Sequence, residues 1–218
     1  MGQDPLQTKA RQAGPVTRIA RKVWRRLVAK DLTASDDYGK LDRFYAMEDP
    51  WEMGSNREQL RFAQTNAVIE DRLRHVGSVL EIGCGEGHQS LHLARICDRV
   101  TGIDVSERAI VRARSRLPGA EFLVGDVASL SSSGRHFDLV VACEVLYYVK
   151  DIPATLARMS DLGTACLVTF FCPSARIVAP HLASIPLADR GWIFGDPYAW
   201  LYAFWRPAPS HGQGTVPP

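Results

Sequence analysis

Val79-Leu80-Glu81-Ile82-Gly83-Cys84-Gly85-Glu86-Gly87 sets a carboxylate two residues ahead of glycines at every second position. An apolar run that ends this way and flows into an apolar-periodic segment reads as a buried strand, a tight turn and a helix start, a loop that can cradle a nucleotide. Glycine suits the loop because a side chain would clash with a ligand pressed on the backbone, and because the turn calls for positive φ. The spacing distinguishes between nucleotides. A dinucleotide fingerprint places its third glycine at the sixth position, which here is His88, whereas this chain has it one residue early at Gly87. Glu81 would repel a pyrophosphate but suits a cationic amino-acid group. The expected ligand is therefore S-adenosylmethionine (SAM), with S-adenosylhomocysteine as its product, rather than NAD.

Three further stations follow in order. Arg99-Val100-Thr101-Gly102-Ile103-Asp104 is a short apolar strand ending in an acid about 20 residues beyond the glycine loop, where a carboxylate can take both ribose hydroxyls; Val105 follows it. Ala120 to Gly125 ends in Asp126-Val127, and that Asp can accept from an adenine amino group. Phe137 to Cys143 ends in Glu144-Val145-Leu146-Tyr147-Tyr148, polar and aromatic groups suited to the neighbourhood of a sulfonium. Taken singly, an Asp at a strand end is as well explained as a helix cap. Taken together, four strand ends in this order point to one ligand at the C-terminal edge of an open α/β sheet.

With these residues in place the chain, from about Tyr38 to about Phe171, resembles the class I SAM-dependent methyltransferases. Within them it is most similar to the NodS-like nodulation N-methyltransferases. Two local patterns carry the narrower likeness: Phe44-Tyr45-Ala46-x-x-Asp49-Pro50-Trp51 and Glu144-Val145-Leu146-Tyr147-Tyr148-x-x-Asp151. The resemblance implies a seven-stranded-type Rossmann-like fold and a segment before the first strand that closes over the cofactor, with Tyr45, Trp51 and Arg57 in that lid. An ordinary packing role is the alternative for Trp51. Cofactor contacts are expected from Glu81, Gly83, Cys84, Gly85, Gly87, Asp104, Val105, Asp126, Val127, Glu144, Tyr45 and Trp51.

The elements that must position these groups alternate. Strands near 78–82, 99–104, 120–125, 137–142 and 164–171 are separated by helical patterns at 88–97, 106–116 and 151–161, after an amphipathic lead-in at 57–74. This predicts a doubly wound, mostly parallel sheet with helices on both faces. Beyond it, Ser174 to Ile185 reads as a helix, and Trp192-Ile193-Phe194 with Tyr198 to Trp205 as an antiparallel pair.

Composition, 46% hydrophobic and 23% charged over 218 residues, fits one globular domain at 38–207, flanked by a basic extension at 1–37 and a Pro/Gly-rich tail at 208–218. Residues 1–30 hold eight Lys or Arg against Asp4 alone, which leaves the body acidic. Apolar residues from Val16 to Val28 recur at helical spacing opposite the arginines. Such a helix can pack on its own domain, lie peripherally on an anionic membrane or lie on nucleic acid. The acidic body argues against a nucleic-acid substrate. No uncharged apolar run approaches the roughly 20 residues of a membrane span. The start lacks a signal-peptide core, and Leu6 stands where myristoylation wants a hydroxyl. The five cysteines have no metal or redox spacing and read as core residues in a reducing, cytoplasmic setting.

Methyl transfer asks the protein to align a nucleophile, exclude water and handle one proton. Glu144 is the candidate base, or else a group that orients the acceptor amine or the cofactor's methionine end. Tyr147 joins it as a catalytic candidate, able to flank the sulfonium or line the acceptor pocket. His88 and His92, four apart on one helix, have metal-ligand spacing but no partner acid evident in sequence, so no metal is expected. His181 is an acceptor-side base candidate, with surface exposure the alternative. The resemblance implies a small-molecule amine acceptor, such as an amino sugar. O-methylation of a natural-product hydroxyl and non-catalytic SAM binding are the competing readings.

Overall fold

The computed structural model describes residues 38–130, 134–185, 188–195 and 197–208. The basic extension at 1–37, with the amphipathic helix expected there, and the tail beyond 208 lie outside the described residues.

Helices α1 (Tyr38–Phe44) and α2 (Asn56–Arg72) precede the alternating part of the chain. That part runs β1 (Ser78–Ile82), α3 (His88–Leu93), β2 (Arg99–Asp104), α4 (Glu107–Arg116), β3 (Glu121–Val124), β4 (Phe137–Cys143), α5 (Ile152–Leu162) and β5 (Gly163–Phe171). Helix α6 (Ala175–Leu182) then leads into the hairpin β6 (Asp189–Gly195) and β7 (Tyr198–Trp205). The seven strands form one sheet in the order β3-β2-β1-β4-β5-β7-β6, parallel as far as β5, with β7 antiparallel to both neighbours. This is the doubly wound, mostly parallel sheet that the alternation predicts.

The central strands are apolar runs because both faces are covered, which removes the in/out alternation of a half-exposed sheet. Leu80, Val140, Cys166 and Val168 pack toward α5 and α6 on one face, and Val79, Leu139, Val141 and Leu167 pack against Ile69 and Leu93 on the other. Short polar side chains start the helices. Ser106 Oγ accepts from Ala109 N at 3.2 Å, and Asp151, the last residue of the second family pattern, accepts from Ala154 N at 2.9 Å.

Boundaries shift where pairing or turns decide them. The helix expected over 88–97 stops at Leu93, because Arg95 N and Ile96 N bond back to His92 O and Leu93 O in a tightened turn. The segment from Ser174 is a helix, though it begins with a 3₁₀ turn at Cys172–Ser174 and ends by Leu182. Strand β6 starts at Asp189, ahead of the apolar residues that mark it in sequence, because Asp189 pairs with Phe204. None of the helices among the described residues is long and apolar enough to cross a membrane.

Candidate active site

Strand order reverses direction between β1 and β4, and a cavity of about 340 Å³ opens there at the C-terminal strand ends. The loop from β1 to α3 forms its floor. Gly83, Gly85 and Gly87 have φ of 70°, 52° and 77°, the left-handed backbone expected of the turn. The bodies that exclude a side chain there belong to the protein itself. A Cβ on Gly83 would collide with Val145, one on Gly85 would lie 2.7 Å from Tyr45 Oη, and one on Gly87 would lie 3.1 Å from Ala113 Cβ. The glycines let β4, the lid and α4 close on the loop.

The predicted acids converge on this floor. Glu81 is buried, accepts from Ser90 Oγ, and is pushed by burial up to about 8. Asp104 is buried and pushed up to about 6, the rise limited by the amides it holds: Oδ2 accepts from Gly85 N and Oδ1 from Ser106 N, both at 2.9 Å. Asp126 Oδ1 accepts from Ser129 N at 3.1 Å, so it does cap the turn at Val127–Leu130 while also lining the cavity with Val105 and Val127. Cys84 lines the cavity too, but it is packed into a cluster with Ile110, Ala113 and Phe122, and burial raises its thiol well above the ordinary range.

The segment between α1 and α2 roofs the cavity. Tyr45 is buried over Gly85, Trp51 Nε1 donates to Tyr45 Oη at 3.3 Å, and the Trp51 ring lies 4.2 Å from Phe44 and 5.5 Å from Tyr148. Trp51 therefore both packs and lines the site. Arg57 does not belong to this lid: it pairs with Glu58 and stacks 4.7 Å over the Tyr198 ring. One helical turn on, Arg61 takes the place expected of Arg57. It is 2% exposed, donates to Glu58 Oε2 at 2.8 Å and to Gln89 Oε1 at 3.3 Å, and lines the cavity. Gln89 Nε2 is buried with no partner and lines the same cavity. A cation and an orphaned donor together can receive a carboxylate. Glu58-x-x-Arg61 on a helix start was the readable signal, since residues three apart share a helix face; Gln89 had none.

Glu144, at the end of β4, has φ 60°, rare for a residue with a side chain. Its carboxylate accepts from Tyr147 Oη and Thr169 Oγ1 at 3.1 Å and from Phe171 N at 3.0 Å, joining β4 to β5. Burial raises its pKa against the opposing pull of Arg61. The Tyr147 ring lies 4.5 Å from Tyr148, and both line the cavity.

The histidines separate. His88 lies beside two acids, Nε2 being 3.7 Å from Glu86 Oε2 and 3.9 Å from Asp49 Oδ1, so the sequence reading missed its partners. Those carboxylates are already engaged: Asp49 accepts from Met53 N and Gly54 N, and Glu86 from Asp49 N and Arg112. His92 faces Gln59 Oε1 at 2.9 Å, and burial pushes it down to about 4. His181 lies on α6 and is not among the residues lining the cavity.

Residues 79–163 match a methyltransferase-domain family. Nodulation protein S of Sinorhizobium fredii is 36% identical over 152 residues, 68% of this chain and 67% of that protein. An uncharacterized methyltransferase of Mycobacterium tuberculosis is 30% identical over 166 residues, 71% of this chain and 81% of that one. The crystal structure of the N-methyltransferase NodS from Bradyrhizobium japonicum, in complex with S-adenosylhomocysteine, covers 81% of this chain and 100% of its own, with TM-score 0.69 and 26% identity. The chain belongs to the class I SAM-dependent methyltransferases, in the NodS-like group, and its cofactor is SAM.

Proposed function

From that membership, we propose that the chain methylates the nitrogen of a small-molecule amine, and that Tyr147 and Glu144 receive the acceptor. The observation that carries this reading is the hydrogen bond from Tyr147 Oη to Glu144 Oε2 on the cavity wall. With its O–H donated in a hydrogen bond to Glu144, the tyrosine oxygen offers its lone pairs to the cavity, where an amine N–H can donate to it. The similarity to an N-methyltransferase supports nitrogen over oxygen.

Bound SAM supplies a methyl group already activated on a sulfonium. The side chains around it divide the rest of the task. Glu81 faces the methionine ammonium, Arg61 and Gln89 Nε2 take the carboxylate, Asp104 the ribose hydroxyls and Asp126 the adenine amino group, under the roof of Tyr45 and Trp51. Tyr147 aligns the acceptor nitrogen, and the aromatic wall of Tyr147 and Tyr148 keeps water from it. Burial raises the Glu144 carboxylate against the pull of Arg61, which favours its taking up a proton, so Glu144 accepts the amine's proton through Tyr147. We place the catalytic domain at 38–207 and the protein in the cytoplasm, a setting that suits five free cysteines.

A panel of amine and hydroxyl acceptors with methyl-labelled SAM tests the proposal. Label is expected on amines. Label on hydroxyls alone would reassign the enzyme as an O-methyltransferase, and tight SAM binding without transfer to any acceptor would make it a SAM-binding protein.

A further inference from the structure

Asp49, Glu86 and His88 meet beside the glycine turn, and none of them has a part in the cofactor contacts above. One donor atom of each lies within 4.8 Å of the other two. His88 Nε2 stands 3.7 Å from Glu86 Oε2 and 3.9 Å from Asp49 Oδ1, too far for a hydrogen bond to either. That nitrogen is buried and has no hydrogen-bond partner among the described residues, whereas buried polar atoms are ordinarily paired. His92, one turn on, faces Gln59 and stays outside the group.

The two carboxylates keep room for a ligand. An ionised carboxylate offers about four lone-pair sites. Met53 N and Gly54 N take two on Asp49, while Asp49 N, bonded to both oxygens, and Arg112 take three on Glu86. One site remains on Asp49 Oδ1 and one on Glu86 Oε2, the oxygens nearest His88. Bonds of this kind are what fix carboxylates that bind metals. Around a tetrahedral Zn²⁺ with bonds of about 2.1 Å, neighbouring ligand atoms stand about 3.4 Å apart, so the imidazole is within about 0.5 Å of that spacing from both acids. An imidazole beside two carboxylates suits Zn²⁺ and its neighbours in the first transition row, whereas Mg²⁺ and Ca²⁺ ask for oxygen alone. We propose that Asp49 Oδ1, Glu86 Oε2 and His88 Nε2 bind one divalent transition-metal ion of the Zn²⁺ class. Their two negative charges match the charge of the ion, and three protein ligands leave a fourth position for water.

The test is calorimetric titration of Zn²⁺ alone into the full chain without SAM, for wild type, His88→Gln, Asp49→Asn and a control outside the cavity, His181→Gln, with Mg²⁺ titrated in parallel. Wild type should bind one equivalent. His88→Gln and Asp49→Asn should each lose at least the about 10–100-fold in affinity that removing a supporting group costs, because each removes a ligand outright. His181→Gln should bind as wild type does, and Mg²⁺ should bind more weakly than Zn²⁺. Zn²⁺ should also raise the melting temperature of wild type and not that of His88→Gln, which separates loss of the site from loss of the fold. The five free cysteines are the competing ligands, so Co²⁺ supplies a fingerprint: a nitrogen and oxygen site shows no thiolate-to-metal charge transfer. No saturable Zn²⁺ binding by wild type, an unchanged affinity in His88→Gln, an equal loss in His181→Gln, or a thiolate band would each overturn the site. None of these measurements involves SAM, so loss of the metal site would leave the cofactor assignment standing.

Discussion

The two halves of the sheet hold their carboxylates in different ways. On the β3-β2-β1 side, Asp104 is fixed by the main-chain N–H groups of Gly85 and Ser106, and the loop it organises closes on Val145, Tyr45 and Ala113. On the β4-β5-β7 side, Glu144 is fixed mainly by side chains, Tyr147 and Thr169, with one amide from Phe171. A backbone frame tolerates change around it and resists change in its own residues. A side-chain frame can be retuned one hydroxyl at a time, which suits the side proposed above to receive the acceptor. Between the halves, Arg61 on α2 donates to Gln89 on α3, and both line the cavity.

Arg61→Ala should have the largest effect. It leaves buried Glu58 with Arg57 alone, so the stability cost stays below the about 3–5 kcal/mol of a buried pair broken outright, and it removes the proposed carboxylate receptor for SAM. Denaturant unfolding and SAM titration measure the two separately, and a stable variant with unaltered SAM affinity would remove Arg61 from the site. Next comes Tyr147→Phe, which deletes the hydroxyl between acceptor and Glu144. Turnover should drop about 10²-fold while SAM affinity holds. If SAM affinity falls equally, the division between cofactor and acceptor halves fails.

Asp104→Asn should weaken SAM binding by about 1–3 kcal/mol. Both carboxylate oxygens accept from N–H groups, so an amide must turn its own NH₂ toward one of them; titration calorimetry on a variant with a wild-type affinity would sink the ribose assignment. At fixed pH near 8 the smallest expected effect is the one set by Glu81, and it grows as pH falls. With burial holding it near pH 8 in the free protein, Glu81 is neutral below that pH, and ionising it to face an ammonium requires proton release. SAM affinity should therefore rise about tenfold per pH unit below 8 and level off above. The same shift makes a stability statement: a carboxyl raised from its ordinary 4.5 favours folding below that value, and the advantage is lost as pH climbs toward 8. Glu81→Gln should flatten both profiles. A slope that persists in that variant would assign the proton elsewhere.

The strands most buried were the most legible. Strands 78–82 and 99–104 appear at their expected bounds because a strand covered on both faces must be an apolar run, and glycine or acid marks its end. The hairpin was readable in kind and not in extent, since Asp189 is a strand residue only through its pairing with Phe204. Arg57 and Arg61 illustrate the limit at the site. They lie four apart on one helix, and only the position of α2 over α3 makes one of them a stacked surface residue and the other a cavity cation.

By itself the sequence determined the order of the elements, the left-handed glycine turn, the acids at the strand ends and the family. Each of these depends on local spacing, on φ and on the alternation of strand and helix. Tertiary structure decided which atoms those groups meet: that Val145 and Tyr45 fill the space over the glycines, that Glu144 is tied across to β5, that Glu86 and Arg112 hold the segment between α1 and α2. Those contacts join residues 25 to 67 positions apart, and no local pattern encodes a distance that only the packing of helices on the sheet creates.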